Sequence, residues 1–236
     1  MSAHQGNLAV IPARAGSKRL PGKNILTFCG RPLIEWTIEA AKHARAIERV
    51  VVTTDCQKIA SVAERAGAEV PFLRPPQYAT DDATSLDVLS HAVTAIWAEI
   101  RHFDGVVLLQ PTSPLRTSVQ IDDAFQMFLG QRPDSVISIT PSESAEGCTG
   151  FVDDNSLMSG FPLEGPRPSD LNKDLFRLNG AIYLTAIDRF SGPQLNDWGA
   201  TRLGYWMKAE DSIDIDSFED FVEAEKMMQR RLATTN

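Results

Sequence analysis

The stretch NLAVIPARAGSKRLPGKN, residues 7–24, joins two unlike pieces. NLAVIP (7–12) is a short apolar run ending at Pro12, the pattern of a buried strand feeding a loop. The loop carries Arg14, Lys18, Arg19 and Lys23, with Arg31 soon after, and Gly16, Gly22 and Gly30 among them. Small residues let backbone N–H groups approach an anion closely, while guanidinium and ammonium groups neutralise it, so polyphosphate is the natural ligand. The spacing is not the Walker pattern GxxxxGK[ST], and GxGxxG is absent after the first run, which argues against P-loop phosphoryl transfer and hydride transfer. One basic residue in a surface loop is commonly just solvated. Such a cluster, in a chain of formal net charge −8, is a local feature that asks for an anion.

Downstream of this loop the chain alternates. PLIEWTIEAAKHA (32–44) reads as a helix with Pro32 in its first turn and Leu33, Trp36, Ile38 and Ala41 on roughly one side. RVVVTTD (49–55) reads as a strand, and DCQKIASVAERAG (55–67) as a helix that Asp55 can cap and Gly67 can end. A helix across TSLDVLSHAVTAIWAEI (84–100), a strand at GVVLLQ (105–110), a helix at SVQIDDAFQMFLG (118–130) and a strand at DSVISIT (134–140) continue the rhythm. VVVTT and VVLLQ are apolar on both faces, as central parallel strands covered by helices on both sides are. The expectation is therefore one α/β domain over residues 1–236 with a mostly parallel, Rossmann-like sheet flanked by helices, and ligands beyond the carboxyl ends of the strands. Residues 141–178 break the pattern, being polar and rich in Gly, Pro, Ser and Asp, and are expected to form an inserted lid or dimerisation arm. NGAIYLTA and DSIDIDS are expected as further strands, followed by an amphipathic helix, SFEDFVEAEKMMQRR.

Composition narrows the function. With 236 residues and 43% hydrophobic content the chain can bury a sizeable core. No stretch reaches the apolar length that spans a bilayer, and MSAHQGNLAV lacks the layout of a signal peptide, so a cytoplasmic protein without a membrane partner is expected. The acidic balance argues against nucleic acid as a partner. Cys29, Cys56 and Cys148 are scattered and odd in number, which indicates neither a disulfide framework nor a zinc site.

DSIDID (211–216) is the second site candidate. As a strand it would place Ser212, Asp214 and Asp216 on one face and Ile213 and Ile215 in the core. Adjacent carboxylates repel unless a cation lies between them, and oxygen-only ligands of this kind suit Mg²⁺. The plainer reading makes Asp216 the N-cap of the last helix, a job compatible with metal binding. Cations for a triphosphate and carboxylates for its metal together fit phosphoryl or nucleotidyl transfer. LLQPTSPLRT (108–117) adds a proline-fixed loop with Gln110, Thr112, Ser113 and Arg116 available to a polyol or carboxylate. RLNGAIY (177–183) adds Arg177, Asn179 and Tyr183.

Taken in order, IPARAGSKRLPGKN, LRPPQYATDDATS, LLQPTSPLRT, RLNGAIY and DSIDID resemble the acylneuraminate cytidylyltransferases, the CMP-sialic acid synthetases and their legionaminic and pseudaminic acid relatives, over roughly residues 7–225. The resemblance implies transfer of CMP from CTP to the anomeric hydroxyl of a nine-carbon acidic sugar, with release of pyrophosphate and with Mg²⁺ as cofactor. It implies that Arg14, Ser17, Lys18 and Lys23 hold the CTP phosphates, that Asn24 lies beside the nucleoside, and that Arg74, Ala83 and Ser85 read cytosine and ribose. Asp214 and Asp216 would hold the metal, and Arg14 and Lys23 would join them in catalysis. Gln110, Asn179 and Tyr183 would line the sugar pocket with Arg177 near it, and residues 141–178 would be the arm of a homodimer.

Two stretches depart from the family pattern. RPSDLNKDLFRLNG (167–180) lacks the Arg-x-Gln-x-Leu-Pro common before the RxNG motif, which bears on Arg167 as a sugar contact. RLPGK, with Arg19 where a Gly is common, is similar to the synthetases that activate the eight-carbon sugar Kdo, while LLQPTSPLR and DSIDID point to the nine-carbon branch. A Kdo acceptor, another sugar nucleotidyltransferase and a non-catalytic nucleotide-binding regulator are the alternatives.

Overall fold

The computed structural model describes residues 6–142, 149–153, 155–159, 175–190 and 197–235. The opening run forms β1 (Asn7–Pro12), whose residues from Asn7 to Ile11 are buried. The basic loop ends in a small hairpin, β2 (Thr27–Phe28) and β3 (Arg31–Pro32), which leads directly into α1 (Leu33–His43). Then come β4 (Ile47–Thr53), α2 (Gln57–Arg65), α3 (Ser85–Ala95), the short α4 (Trp97–Ile100), β5 (Gly105–Leu108), α5 (Ser118–Gln131) and β6 (Ser135–Pro141). The chain closes with β7 (Thr149–Val152), β8 (Met158–Ser159), β9 (Phe176–Ala186), β10 (Arg202–Trp206) and α6 (Phe218–Thr235).

The main sheet runs β10-β6-β9-β5-β1-β4. β1 pairs parallel with β4 and β5, β6 pairs parallel with β10, and β9 is antiparallel to both β5 and β6, so five strands of the six share one direction. From β1 the chain moves outward to β4 and then crosses back to β5 on the other side. The crevice beyond the carboxyl ends of β1 and β5 is therefore the topological switch point, where an open α/β sheet takes its ligands. Because β9 runs the other way, its N-terminal residues Arg177–Gly180 lie at this same end of the sheet.

Three apolar clusters hold the layers. One face of the sheet packs on α1, α2 and α5 through Ile34, Ile38, Ile59, Ile121 and Phe125. The other packs on α3 and α4 through Leu89, Val93 and Ile100. The third joins Leu20 of the basic loop, Phe28 of the hairpin and Leu33 of α1 to Ile215 and to Phe221 and Ala224 of α6. Phe28 is fully buried, edge-on to Phe221 with ring centroids 5.3 Å apart. Burying a ring of that size contributes about 2–3 kcal/mol, and here it seats the basic loop against the C-terminal helix.

Several expectations need correction. Residues 212–216 are not a strand: they follow a 3-10 turn, Ala209–Asp211, and Ile215 N donates to the Thr112 carbonyl at 2.8 Å rather than to a sheet neighbour. Asp216 is not the N-cap of α6. Ser217 takes that place: its Oγ accepts from Asp220 N at 3.2 Å, while the Asp220 carboxylate accepts from Ser217 N at 2.7 Å and Asp216 N at 3.0 Å. Asp55 does not cap α2, because its carboxylate accepts from Ala15 N at 2.8 Å, across the sheet end. The helix expected over 84–100 is broken at Ile96, whose φ of −120° leaves the helical region. Within 141–178 the chain is not wholly irregular, since β7 pairs with β8 and β9, and β9 begins at Phe176. The greater part of that expected arm, with Cys148 and Arg167, lies outside the described residues. β10, unanticipated, extends the sheet at its edge.

Candidate active site

Local structure around the loop is set by a few residues. Gly22 has φ +68°, a conformation that Gly adopts at no steric cost, and it turns the chain into the single turn Lys23–Ile25. Asn24, 5% exposed, donates from Nδ2 to the Arg14 carbonyl at 3.0 Å and so closes the loop on itself. Asp55, just past β4, holds Ala15 N and so ties the start of the loop to the end of the sheet.

A cleft of about 360 Å³ opens at the switch point, lined by Arg14, Lys23, Asn24, Arg74, Gln110 and the Asp214–Asp216 segment among others. Ala83, Ser85, Tyr78 and Val88 form its other end, at the N-terminus of α3. That end is fixed by a capping box: Thr84 Oγ1 accepts from Asp87 N at 3.1 Å and Asp87 Oδ2 from Thr84 N at 2.9 Å. A second, more basic hollow of about 400 Å³ continues outward past Ser17, Lys18 and Arg19 and shares Arg14, Lys23, Asn24, Asp81 and Asp216 with the first. The structure thus brings together Arg14, Ser17, Lys18, Lys23, Asn24, Arg74, Ala83, Ser85, Gln110, Asp214 and Asp216.

Every cation of the loop faces a carboxylate. Arg14 Nη2 lies 2.7 Å from Asp81 Oδ1, Lys18 pairs with the other oxygen of Asp81, Arg19 lies 3.1 Å from Asp216 Oδ2, and Lys23 lies 3.3 Å from Asp216 Oδ1. Lys23 Nζ also donates to the Ile215 carbonyl at 2.7 Å. Asp81 was not anticipated as part of the site; its place in ATDDATS, next to residues assigned to the base, was the available signal.

Asp214 differs from Asp216. Burial pushes its carboxyl above the ordinary carboxylate range, reinforced by Asp216 and opposed by a hydrogen bond from Thr112 and by Lys23 and Arg177. Its Oδ1 is buried without a hydrogen-bond partner. An orphaned carboxylate oxygen beside a second carboxylate fits a hard cation with oxygen ligands. No group of three or more His, Cys, Asp or Glu gathers around a point among the described residues, so protein ligands would supply only part of a shell.

Arg74 lines the cleft but its guanidinium is used within the protein: Nε donates to Thr53 Oγ1 at 3.2 Å, Nη1 to the Tyr78 carbonyl at 3.3 Å, and Nη2 to the Thr53 carbonyl. Burial brings its pKa down to about 10, with Asp55 opposing and Arg14 adding to the fall. Asn179 and Tyr183 do not line the cleft. Asn179, 1% exposed, donates to Ser212 Oγ at 2.9 Å and accepts from Ser138 Oγ at 2.5 Å. Tyr183 packs its ring on Trp198, with centroids 5.2 Å apart, in the α3-side core. Arg177 stands between, donating to the Ser212 carbonyl at 3.3 Å. Arg116, expected to face a ligand, is 3% exposed and donates to the Ala181 carbonyl at 2.9 Å and the Gln110 carbonyl at 3.3 Å, which pins the Gln110 loop to β9.

The fold is shared with the solved CMP:2-keto-3-deoxy-manno-octonic acid synthetase complexed with CTP, on which it superposes with a TM-score of 0.75 at 18% identity, covering 96% of this chain and 100% of that one. A cytidylyltransferase family model matches residues 8–158. The chain is 35% identical over 225 residues to the N-acylneuraminate cytidylyltransferase of Escherichia coli, covering 95% of this chain and 52% of that protein, so it spans about half that relative's length. It is also 35% identical over 223 residues to the CMP-N,N'-diacetyllegionaminic acid synthase of Legionella pneumophila, covering 94% of this chain and 96% of that one. The chain belongs to the acylneuraminate cytidylyltransferase family. Among the described residues no helix is long and apolar enough to cross a membrane.

Proposed function

We propose that the chain transfers CMP from CTP to the anomeric hydroxyl of a nine-carbon acidic sugar of the sialic, legionaminic or pseudaminic acid type and releases pyrophosphate. The observation that carries this reading is Lys23, whose ammonium reaches the Ile215 carbonyl at 2.7 Å and Asp216 at 3.3 Å. It joins the loop that suits a triphosphate to the carboxylates that suit its metal. The names of the relatives, which state CMP-activating reactions on acids of this kind, support the same substrate class.

In this reading Arg14, Ser17, Lys18 and Lys23 run along the phosphates, Asn24 sits beside the nucleoside, and Ala83 and Ser85 take the base and ribose. Arg74 acts by holding the Tyr78 turn, and Tyr78 and Val88 line the end of the cleft that takes the base. Gln110, with Arg177 behind it, takes the sugar end. Asp214 and Asp216 would hold Mg²⁺, for which Asp216 leaves its pairing with Arg19 and Lys23. When bound, the ion supplies Lewis-acid chemistry that lowers the pKa of the attacking hydroxyl. The hydroxyl oxygen forms a bond to the α-phosphorus, the α–β anhydride bond breaks, the hydroxyl proton is released and pyrophosphate departs. Arg14 and Lys23 offset the charge gathering on that leaving group. A cytoplasmic location and a homodimer built on residues 141–178 belong to the same proposal; sedimentation equilibrium of the purified chain tests the dimer.

The experiment is pyrophosphate release from CTP and Mg²⁺ with Neu5Ac, legionaminic acid, pseudaminic acid and Kdo in parallel, with ATP, GTP and UTP as controls. Release with a nine-carbon acid and CTP alone is expected. Release with Kdo only would move the acceptor to the eight-carbon sugar. CTP binding with silence in every well would overturn transfer in favour of a nucleotide-binding regulator.

A further inference from the structure

Asp81 occupies the place where the outer phosphates of a nucleotide are expected. Its two carboxylate oxygens hold Arg14, at 2.7 Å, and Lys18. Arg14 is bound a second time to the same loop, its Nη1 donating to the Thr80 carbonyl at 2.7 Å. These contacts are not enforced by packing, since the side chains of Lys18 and Asp81 are 82% and 43% exposed. The two cations in turn hold the Asp81 carboxyl below the ordinary carboxylate range, Lys18 more strongly than Arg14.

We propose that Asp81 is an intramolecular stand-in for the outer phosphates: a displaceable counter-anion that CTP must move off Arg14 and Lys18, and that returns to them as pyrophosphate leaves. The inference rests on the reading of the cleft as a polyphosphate site. Exposed ion pairs are weak and exchange readily. A polyphosphate with several charges therefore displaces Asp81 at small cost, while the returning carboxylate competes with the departing product for the same two cations. The apparent affinity of any ligand that needs Arg14 and Lys18 free is reduced by the fraction of molecules in which they are free. Pyrophosphate and CTP are consequently weakened by a similar factor, and strong binding of the product, which would stall turnover, is avoided. The same displacement frees the Thr80 carbonyl from Arg14, which couples phosphate occupancy to the loop that carries Ala83 toward the base.

The test is calorimetric titration of inorganic pyrophosphate, and separately of CTP, into the wild type, Asp81→Asn and Asp82→Asn. Asp82 is an exposed neighbour, so its variant removes the same charge one residue away. Asp81→Asn is expected to bind pyrophosphate and CTP about 3- to 10-fold more tightly, and to show stronger product inhibition. Asp82→Asn is expected to stay within about twofold of the wild type. Unchanged or weaker pyrophosphate binding in Asp81→Asn overturns the inference, as does equal tightening in Asp82→Asn, which would mark a general field effect. Failure of pyrophosphate to bind to any of the three proteins overturns it as well. A wild type that binds CTP and pyrophosphate but transfers to no acid overturns the transfer reading, while the affinities of the two variants still decide the role of Asp81.

Discussion

Asn179 Nδ2 donates to Ser212 Oγ at 2.9 Å, a bond that ties the antiparallel strand β9 to the segment bearing Asp214 and Asp216. Ser212 Oγ in turn donates to the Lys208 carbonyl at 2.7 Å, and Asn179 Oδ1 accepts from Ser138 Oγ at 2.5 Å and from Ala181 N at 3.2 Å. The carboxylate segment, which has no sheet partner, is held at Ser212 by this buried network and at Ile215 by the Thr112 carbonyl and Lys23.

Asn179→Ala is accordingly expected to remove the hydrogen bonds that join Ser138 on one side to Ser212 on the other and to lower stability by about 1–3 kcal/mol. Its larger effect falls on the metal: the Mg²⁺ concentration for half-maximal turnover rises, while CTP binding measured without metal changes little. Chemical denaturation and a Mg²⁺ titration of turnover check the two parts. Weakened metal-free CTP binding with unaltered Mg²⁺ dependence would speak for a direct ligand contact instead.

Asp214→Asn separates stability from activity. Burial raises the carboxyl's folded pKa above that of the unfolded chain, so the stabilisation it brings is present below about pH 4 and lost as pH rises through the folded value. At neutral pH the ionised, desolvated carboxylate is a burden, and the neutral amide is expected to raise stability by about 0.5–2 kcal/mol. Turnover is expected to fall at least about 100-fold. Thermal melts at pH 7 and pyrophosphate release at several Mg²⁺ concentrations measure both; unchanged turnover would remove Asp214 from the mechanism.

Gly180→Ala tests how closely the strands approach. At φ +74° a side chain is strained, and its Cβ would lie 2.5 Å from Gln110 Oε1 and 3.6 Å from Asp214 Oδ2. Left-handed strain costs about 1–2 kcal/mol. Because Gln110 must move, kcat/KM for the sugar acid is expected to drop about 5- to 30-fold, which corresponds to about 1–2 kcal/mol of lost interaction energy. Steady-state kinetics in the acceptor, at saturating CTP, reads the effect.

Acid stability has a separate centre. Thr201 N donates to Asp134 Oδ2 at 2.8 Å and Arg189 lies 3.0 Å from Oδ1, and these, led by the Thr201 bond, hold the carboxyl below its ordinary range. With the folded pKa depressed, the stabilisation is present above about pH 4 and lost as pH falls through the folded value. Asp134→Asn is expected to flatten the acid limb of the stability profile below about pH 4 and to leave turnover unchanged at neutral pH. Denaturation midpoints from pH 2 to 7 provide the measurement.

Much of this was legible along the chain. NLAVIP, VVVTT and GVVLL are long enough apolar runs to announce buried strands, and the cations between Arg14 and Lys23 stand out against an acidic composition. β10 was missed because RLGYW is a short edge strand whose Gly204 and exposed Trp206 weaken its pattern. DSIDID misled for another reason. Alternation places Ile213 and Ile215 inside and Ser212 outside, whereas Ile215 and Ser212 are both fully buried and Ile213 only partly so. Nor does alternation report what the backbone bonds to, and here that is the Thr112 carbonyl of a loop.

By itself the sequence determined the α/β alternation, the gathering of cations in the first loop and the pairing of carboxylates at Asp214 and Asp216, because these follow from residue identity and short-range periodicity. Only the tertiary structure decided the partners: that β9 runs against its neighbours and brings Asn179 to Ser212, that Arg74 and Arg116 spend their donors inside the protein, and that Asp81 stands before Arg14 and Lys18. Such pairings join residues tens to nearly two hundred positions apart, as Lys23 and Ile215 are across 192. The reason is physical: buried polar groups must find partners wherever packing brings one, and that choice is made in space.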